Sequence, residues 1–430
     1  MSQARLRRRV AGMLAARLPE ARLERVADPR CERGRLWPLA TLLRATIVGC
    51  IAGCKSLSQV EQLTDEMSRA SRQWLRIPRC VPDTTLRDVL VELEPTEVSR
   101  SIHAVVKAAQ RRKALAPLGQ LPFGVVAMDG KSTAGSSWDD LYAQRQPHSA
   151  GLGASGMVRT MTCTLISSRV KVCLDAIPIP ASTNEMGQFQ DSLKKLVATY
   201  GRADLFRLIT YDAGACSADN AEVVRKEQLH YLFGLKGTQP TLLAEARRLL
   251  ARIPLEQAQA ITADVNGPWV ITRRLFITSE MAGYQWPHLE TALRVRYEKR
   301  DRQGKLLEAE DRYYISSLPR AELTDEQWLL VVRLHWGVEN NCHNTWDTVF
   351  KEDDHPWIEA DPKGMVVVML LRRLAYNLLA LFRGVTQRSE DRRATPWRDV
   401  VRWFYNTIIA ATEADLSQLR ARKGTAAALA

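Results

Sequence analysis

Two aspartates stand directly after short apolar runs. Asp129 follows Phe123–Met128 (FGVVAM) and Asp212 follows Phe206–Tyr211 (FRLITY). Runs of this length, rich in branched and aromatic residues and bounded by polar turns, read as strands, which puts each carboxylate at a strand end. Carboxylates at the ends of neighbouring strands can converge on one divalent ion, because hard oxygen ligands suit Mg²⁺ and the sheet fixes their separation. The same residues also form turns, and Asp129-Gly130 alone is an ordinary turn dipeptide. Further candidates lie in Arg333–Asp354, RLHWGVENNCHNTWDTVFKEDD. Continued as one helix, His335, Glu339 and His343 fall at i, i+4 and i+8 on one stripe, with Asp347 slightly off it. Three chemistries fit that stripe. It can be a solvated polar face, or a histidine-rich zinc site, although HExxH spacing is absent and Cys342 points elsewhere. Alternatively Glu339 supplies the last carboxylate of a two-metal centre while Arg333 and His335 handle phosphate.

The elements that must position these groups are legible in outline. From Pro38 to about Lys113 the pattern is helical, with Leu39, Leu42, Leu43, Ile47 and Ile51 on one face and Pro82-Asp83-Thr84-Thr85 as a cap before Leu86. After Ala116-Pro117-Leu118-Gly119 the period changes. Phe123–Met128, Val158–Ile166 and Val170–Ile179 read as strands, and a helix opens at Asn184-Glu185. Phe206–Tyr211 is a strand, Ser217–Glu227 a helix, and Tyr231–Leu235 a strand ending at Lys236-Gly237. Three sequential strands followed by alternation predict a mixed sheet, an antiparallel meander continued by crossovers. Residues 241–320 begin helical and then become β-rich, at Trp269–Phe276, Thr291–Tyr297 and Arg312–Ile315. Helical periodicity returns from Asp325 past Glu339, again over Met365–Phe382, and over Pro396–Leu419.

Composition narrows the partners. The 430 residues carry 61 Lys and Arg against 48 Asp and Glu, a net charge of +13. A pI near 9.5 favours a polyanionic partner, nucleic acid being the commonest, although a basic enzyme of another kind has the same balance. Residues 1–35 hold ten Arg against four acidic residues, which suits either an arm on DNA phosphates or a solvated helix face. The eight cysteines form no CxxC pair and read as buried thiols of a reducing compartment, not a zinc cluster or a disulfide framework. No secretory signal stands out, and the longest apolar run, Met365–Leu371, is closed by Arg372 and Arg373. These features predict a cytoplasmic protein without a membrane span.

Taken together, the motifs resemble those of DDE transposases encoded by bacterial insertion sequences, in the subgroup of the H-repeat-associated proteins. The resemblance rests on Asp129-Gly130-Lys131, Asn184-Glu185, Asp212-Ala213 and Lys236-Gly237-Thr238-Gln239-Pro240, which fall in order along the chain. It continues through Arg333, His335, Trp336, Glu339, Asn340, His343, Asp347, Phe350, Glu352 and Asp353, and through Leu371-Arg372-Arg373-Leu374-Ala375-Tyr376-Asn377-Leu378-Leu379. It covers about Pro38 to Gly384. Thr238 stands where Asn is usual and Asn344 where Trp is commoner, and Ala213–Asn220 departs from the common pattern. None of these removes a carboxylate.

The resemblance implies an α/β fold: an RNase H-like mixed-sheet core with a β-rich insertion domain, preceded by a helical N-terminal domain and followed by C-terminal helices. In those terms residues 1–116 are the basic arm and helical domain that recognises DNA ends, and 117–240 the first part of the core. Residues 241–322 are the insertion, 323–385 the helix of the third carboxylate and its packing helix, and 386–430 the C-terminal segment. Asp129, Asp212 and Glu339 become the catalytic metal ligands for Mg²⁺ or Mn²⁺, and Lys131, Lys236, Arg333 and His335 contact DNA. The partners become double-stranded DNA, as terminal inverted repeats and as target, and further copies of the chain assembled on it. Trp269 and Trp286, in the insertion, are candidates to stack on an unpaired base, against the plainer reading of core aromatics. A DNA-binding relative that no longer transposes, a nuclease without strand transfer, and a zinc hydrolase using His335, Glu339 and His343 remain the alternatives.

Overall fold

The computed structural model describes residues 2–119, 121–139, 141–148, 153–201 and 205–417. Six helices come first: α1 (Gln3–Arg17), α2 (Leu39–Ala52), α3 (Leu57–Glu66), α4 (Arg69–Leu75), α5 (Asp83–Glu92) and α6 (Pro95–Arg111). Strands β1 (Val125–Gly135), β2 (Ala143–Pro147), β3 (Ala154–Leu165) and β4 (Val172–Pro178) follow. Then come α7 (Glu185–Tyr200), β5 (Leu208–Tyr211), α8 (Ala218–Lys226), β6 (His230–Leu235) and α9 (Pro240–Leu250). Four long strands, β7 (Ala260–Asn266), β8 (Trp269–Thr278), β9 (Thr291–Asp301) and β10 (Leu306–Ser316), complete the β structure. The chain closes with α10 (Asp325–His335), a π-helical turn (Val338–His343), α11 (Asn344–Thr348), α12 (Pro362–Leu381), α13 (Glu390–Arg393) and α14 (Trp397–Ala410). The helix expected over Pro396–Leu419 is broken: α14 stops at Ala410 where Ala411 turns extended, a short helical stretch follows at 413–417, and residues 418–419 lie outside the described residues.

Among the described residues all ten strands belong to one mixed sheet of order β2-β3-β1-β5-β6-β10-β9-β8-β7, with β4 also on β3. Strand β1 pairs antiparallel with β3 and parallel with β5, and β5 pairs parallel with β6. The α/β class and the mixed sheet are therefore as the alternation indicated. The β-rich stretch is joined to the same sheet. Strand β10 pairs with β6 from Tyr313↔Leu235 to Ser316↔Leu232, so the block continues the sheet.

Strand polarity decides which side chains meet. Val126 and Met128 of β1 join an apolar cluster with α6, α7 and α12, whereas Val125 and Ala127 join a second cluster with Trp328, Leu329, Val331 and Val332 of α10. Because side chains alternate along a strand, Asp129 continues the Val125–Ala127 series and stands on the α10 side. In β5, Leu208 belongs to the α10 cluster while Ile209 and Tyr211 belong to the other. Asp212 therefore extends to the α10 side as well.

The first cluster is continuous from Val10 of α1 through α2, α6 and β4 to Phe404 of α14. At its centre lies α12, whose side chains from Met365 to Leu381 are all buried. The helical stretch Pro362–Thr386 is long and apolar enough to cross a bilayer by length and composition, and its most apolar window is wholly buried inside the protein. The arginine-rich start is not an extended arm. It is α1, which packs on α14, with Arg7 paired to Asp415 at 2.7 Å. All eight cysteines are free, and six are buried.

Candidate metal centre and nucleic-acid interface

The site is built where β5 stops and β1 runs on. The parallel ladder pairs Ala127 with Thr210, so two residues further along each strand Asp129 and Asp212 come level on the same side of the sheet. Asp129 does not end its strand, as the apolar run suggested, but lies five residues into β1, which continues to Gly135 against β3. Asp212 caps the short turn Ala213–Ala215 and accepts a hydrogen bond from the Gly214 N–H at 2.8 Å, which fixes its carboxylate at the mouth.

Glu339 comes from the helical side. Helix α10 is started by a capping box, in which Thr324 Oγ1 accepts from the Gln327 N–H and Gln327 accepts from the Thr324 N–H. It ends at His335, and the chain then widens into the π-turn that carries Glu339. This turn is a departure from the single helix assumed above. Its wider spacing breaks the i, i+4, i+8 stripe, and π-turns inside helices are frequent at functional positions. His335 points to the sheet, with Nδ1 2.9 Å from Thr210 Oγ1, while His343 Nδ1 lies 3.5 Å from Asp129 Oδ2. Among the described residues no three His, Cys, Asp or Glu side chains are gathered tightly enough to hold an ion as they stand, so the zinc cluster of His335, Glu339 and His343 is not formed.

The acidic groups nonetheless act on one another. Burial pushes the Asp129 carboxyl up to about 8, with the charges of Glu339, Glu185 and Asp212 adding to it. Burial and Asp212 also raise Glu339, against a smaller pull from Arg312. Mutually repelling carboxylates of this kind are the donor set that a hard divalent cation relieves. The oxygen chemistry of Asp129, Asp212 and Glu339 is of the kind that fits Mg²⁺ or Mn²⁺. Burial drives His343 down to about 3, so its imidazole is neutral beside Asp129.

The expected DNA contacts fall into two groups. Lys236 is exposed and lines a cavity of about 370 Å³ with Asp212, Arg247, Arg312, Trp336 and Glu339. Arg333 lines an adjoining cavity of about 630 Å³ with Lys171, Arg273 and Arg312, and pairs with Asp264 of β7 at 3.0 Å. Trp336 and Glu339 stand between the two cavities and line both. Lys131 and His335 are placed otherwise. Lys131 is buried with its Nζ 2.6 Å from Asp353 and 3.0 Å from Asp347, so its charge is already spent within the protein. His335 is buried and pushed down to about 4 by desolvation, so it brings no positive charge to a phosphate. Trp269 lies under Lys299 Nζ at 4.7 Å and Trp286 packs on the main core, and neither lines the two cavities.

Arg247, Arg312 and Lys171 were not singled out by sequence reasoning. They come from α9, β10 and the segment just before β4; Arg312 lines both cavities, Arg247 the smaller and Lys171 the larger.

Two family models match the chain. The family model described as "Transposase DDE domain" matches residues 124–378, which span β1 to α12 and include all three carboxylates. The chain belongs to the DDE-domain transposase family. A second model, described as "DDE_Tnp_1-associated", matches residues 21–105, the helical part before β1. Two proteins of Escherichia coli strain K12 are similar over 161 residues. "H repeat-associated putative transposase YhhI" is 35% identical, and "Putative protein YbfL" is 34% identical. Each match covers 34% of this chain and 41% of the relative, so the similarity spans about two fifths of those proteins.

Proposed function

We propose that this protein is a transposase that binds the ends of an insertion sequence, cleaves DNA phosphodiesters there and joins the 3′-OH ends to target DNA. One observation carries the reading: Asp129 and Asp212 come level on one side of a mixed sheet, with Glu339 on the helical segment packed over that side. The order β4-β3-β1-β5-β6 within the sheet, three antiparallel strands and then two parallel ones, supports an RNase H-like core. The β7–β10 block is then an extension of that core beside the DNA channel, and the helices of 1–116 take the part of end recognition.

Asp129, Asp212 and Glu339 would hold the divalent ions, which when bound would supply charge to offset the attacking and leaving oxygens of an in-line displacement. The protein supplies position. Asp212 is oriented by the Gly214 N–H, and the His343 ring stands beside Asp129. Lys236, Arg247, Arg312 and Arg333 line the two cavities as phosphate contacts. In cleavage, water oxygen bonds to phosphorus as the bond to the 3′-oxygen breaks, and that oxygen leaves with a proton as the 3′-OH. In joining, this 3′-OH attacks a target phosphodiester and the target's own 3′-oxygen leaves. Two ends must be handled together, which calls for more than one copy of the chain on DNA.

The test is product analysis with full-length protein, Mg²⁺ and DNA carrying the sequences that flank its gene. Cut 3′-OH ends and joined molecules are expected. Asp129→Asn, Asp212→Asn and Glu339→Gln should each lower cleavage roughly a thousandfold or more while end binding stays within a few-fold. Cut ends without joined molecules would make the protein a nuclease. Full cleavage by Glu339→Gln would overturn its place as third ligand.

A further inference from the structure

Strand β1 carries a glycine directly after Asp129. A Cβ at Gly130 would fall 1.9 Å from Cδ of Glu185 and 2.0 and 2.3 Å from its two carboxylate oxygens. Atoms cannot share that space. The missing side chain at 130 is therefore what lets the Glu185 carboxylate lie against the β1 backbone, one residue from Asp129.

Glu185 arrives from a direction the other ligands do not use. It is the first residue of α7, whose Phe189, Leu193 and Leu196 pack in the cluster on the Val126–Met128 face of the sheet. Gly130 continues that face by alternation, whereas Asp129 continues the α10 face. Glu185 thus approaches Asp129 from the side of β1 opposite to Glu339, across the gap left where β5 ends. Its charge raises Asp129, and the charge of Asp212 in turn raises Glu185 after the larger effect of burial. An acid in the first turn of a helix complements the helix dipole wherever its side chain points, and Arg159 of β3 also attracts it. Neither role requires an empty position at 130.

We propose that Glu185 is a fourth carboxylate ligand of the divalent-metal site, approaching from the face opposite Glu339 and admitted by the absence of a side chain at Gly130. This rests on the reading of Asp129 and Asp212 as a metal site. Two divalent ions bring four positive charges. Three carboxylates leave one unmatched, and a fourth balances them before any phosphate enters. Glycine at 130 and glutamate at 185 then form one functional unit drawn from distant parts of the chain.

The experiment is a Mn²⁺ titration of the full-length protein followed by electron paramagnetic resonance of free Mn²⁺, with melting temperatures in EDTA as a folding control. Glu185→Gln should weaken Mn²⁺ binding by about tenfold or more, as loss of a group that shapes a metal site does. Gly130→Ala keeps every carboxylate but displaces Glu185, and should weaken binding comparably. Asp129→Asn should lose binding to the greatest extent. If Glu185→Gln and Gly130→Ala bind Mn²⁺ like the unmodified protein while Asp129→Asn does not, Glu185 is no ligand and the metal site itself stands. If Asp129→Asn also binds normally, the metal-site reading falls with it. A merely structural Glu185 would lower the melting temperature in EDTA and leave Mn²⁺ affinity unchanged. Should Glu185→Gln fail to fold, normal Mn²⁺ affinity in Gly130→Ala overturns the proposal by itself.

Discussion

Asp129 bears most of the electrostatic cost of the site. Its ordinary carboxyl value is 3.8, and burial among acidic neighbours lifts it to about 8 in the folded protein. The folded state therefore binds more protons than the unfolded chain between roughly pH 4 and pH 8. Stability from this group is complete below the lower value and declines as pH rises through the upper one. Asp129→Asn cannot ionise and should escape the decline. In metal-free buffer its melting temperature should exceed that of the unmodified protein by several degrees at pH 8, and the two should converge near pH 4. Parallel pH profiles would show that Asp129 is not held in this state. At this scale residue type and place in the sequence are enough to single out Asp129 and Asp212, which stand after apolar runs and come level on neighbouring strands. The ion pairs of Lys131 were not legible, because its partners, Asp347 and Asp353, lie more than two hundred residues away and nothing local announces them. Glu185 entered only as part of a motif, since its meaning depends on the glycine opposite.

Among the elements, the π-turn bearing Glu339 is held from behind by α12. Cys342 Sγ lies 3.3 Å from the Tyr376 hydroxyl, and the Arg373 guanidinium stacks 3.6 Å from the Trp346 ring centre. Arg373 also forms a two-pronged pair with Glu352, in which both side chains are wholly buried. Burial works against the Glu352 charge, yet Arg373 and Arg372 outweigh it and hold its carboxyl below the ordinary value. Breaking such a pair from one side strands a buried charge. Arg373→Met should therefore lower unfolding free energy by about 3–5 kcal/mol in urea denaturation, and adding Glu352→Leu should recover much of the loss. A loss under about 1 kcal/mol would mean the pair is not desolvated in solution. Element types were largely readable from periodicity, but two boundaries were not. Strand β1 continues through Asp-Gly-Lys-Ser-Thr-Ala-Gly, which carries little apolar alternation because one side faces the site. The π-turn is set by what α12 presents to it, and sequence spacing cannot register that.

For the molecule as a whole, the sheet order does what local pattern could not foretell. Pairing of β6 with β10 carries the β-rich block to the edge of the carboxylates and brings Arg273 and Arg312 beside Lys171 and Arg333. The chain's net charge of +13, with these basic groups beside the carboxylates, implies release of counterions on DNA binding. DNA affinity should fall steeply with salt, by roughly a thousandfold between 50 and 200 mM if six or more phosphates are neutralised. A flat dependence would make the charge incidental. The central claim is narrower: the carboxylates of β1, β5 and the π-turn form one divalent-metal site. Anomalous scattering from crystals soaked in Mn²⁺ tests it most directly. The expected result is a peak within about 2.0–2.3 Å of oxygens from both Asp129 and Asp212, with Glu339 turned toward it. Saturating Mn²⁺ with no peak between those two aspartates would contradict the account.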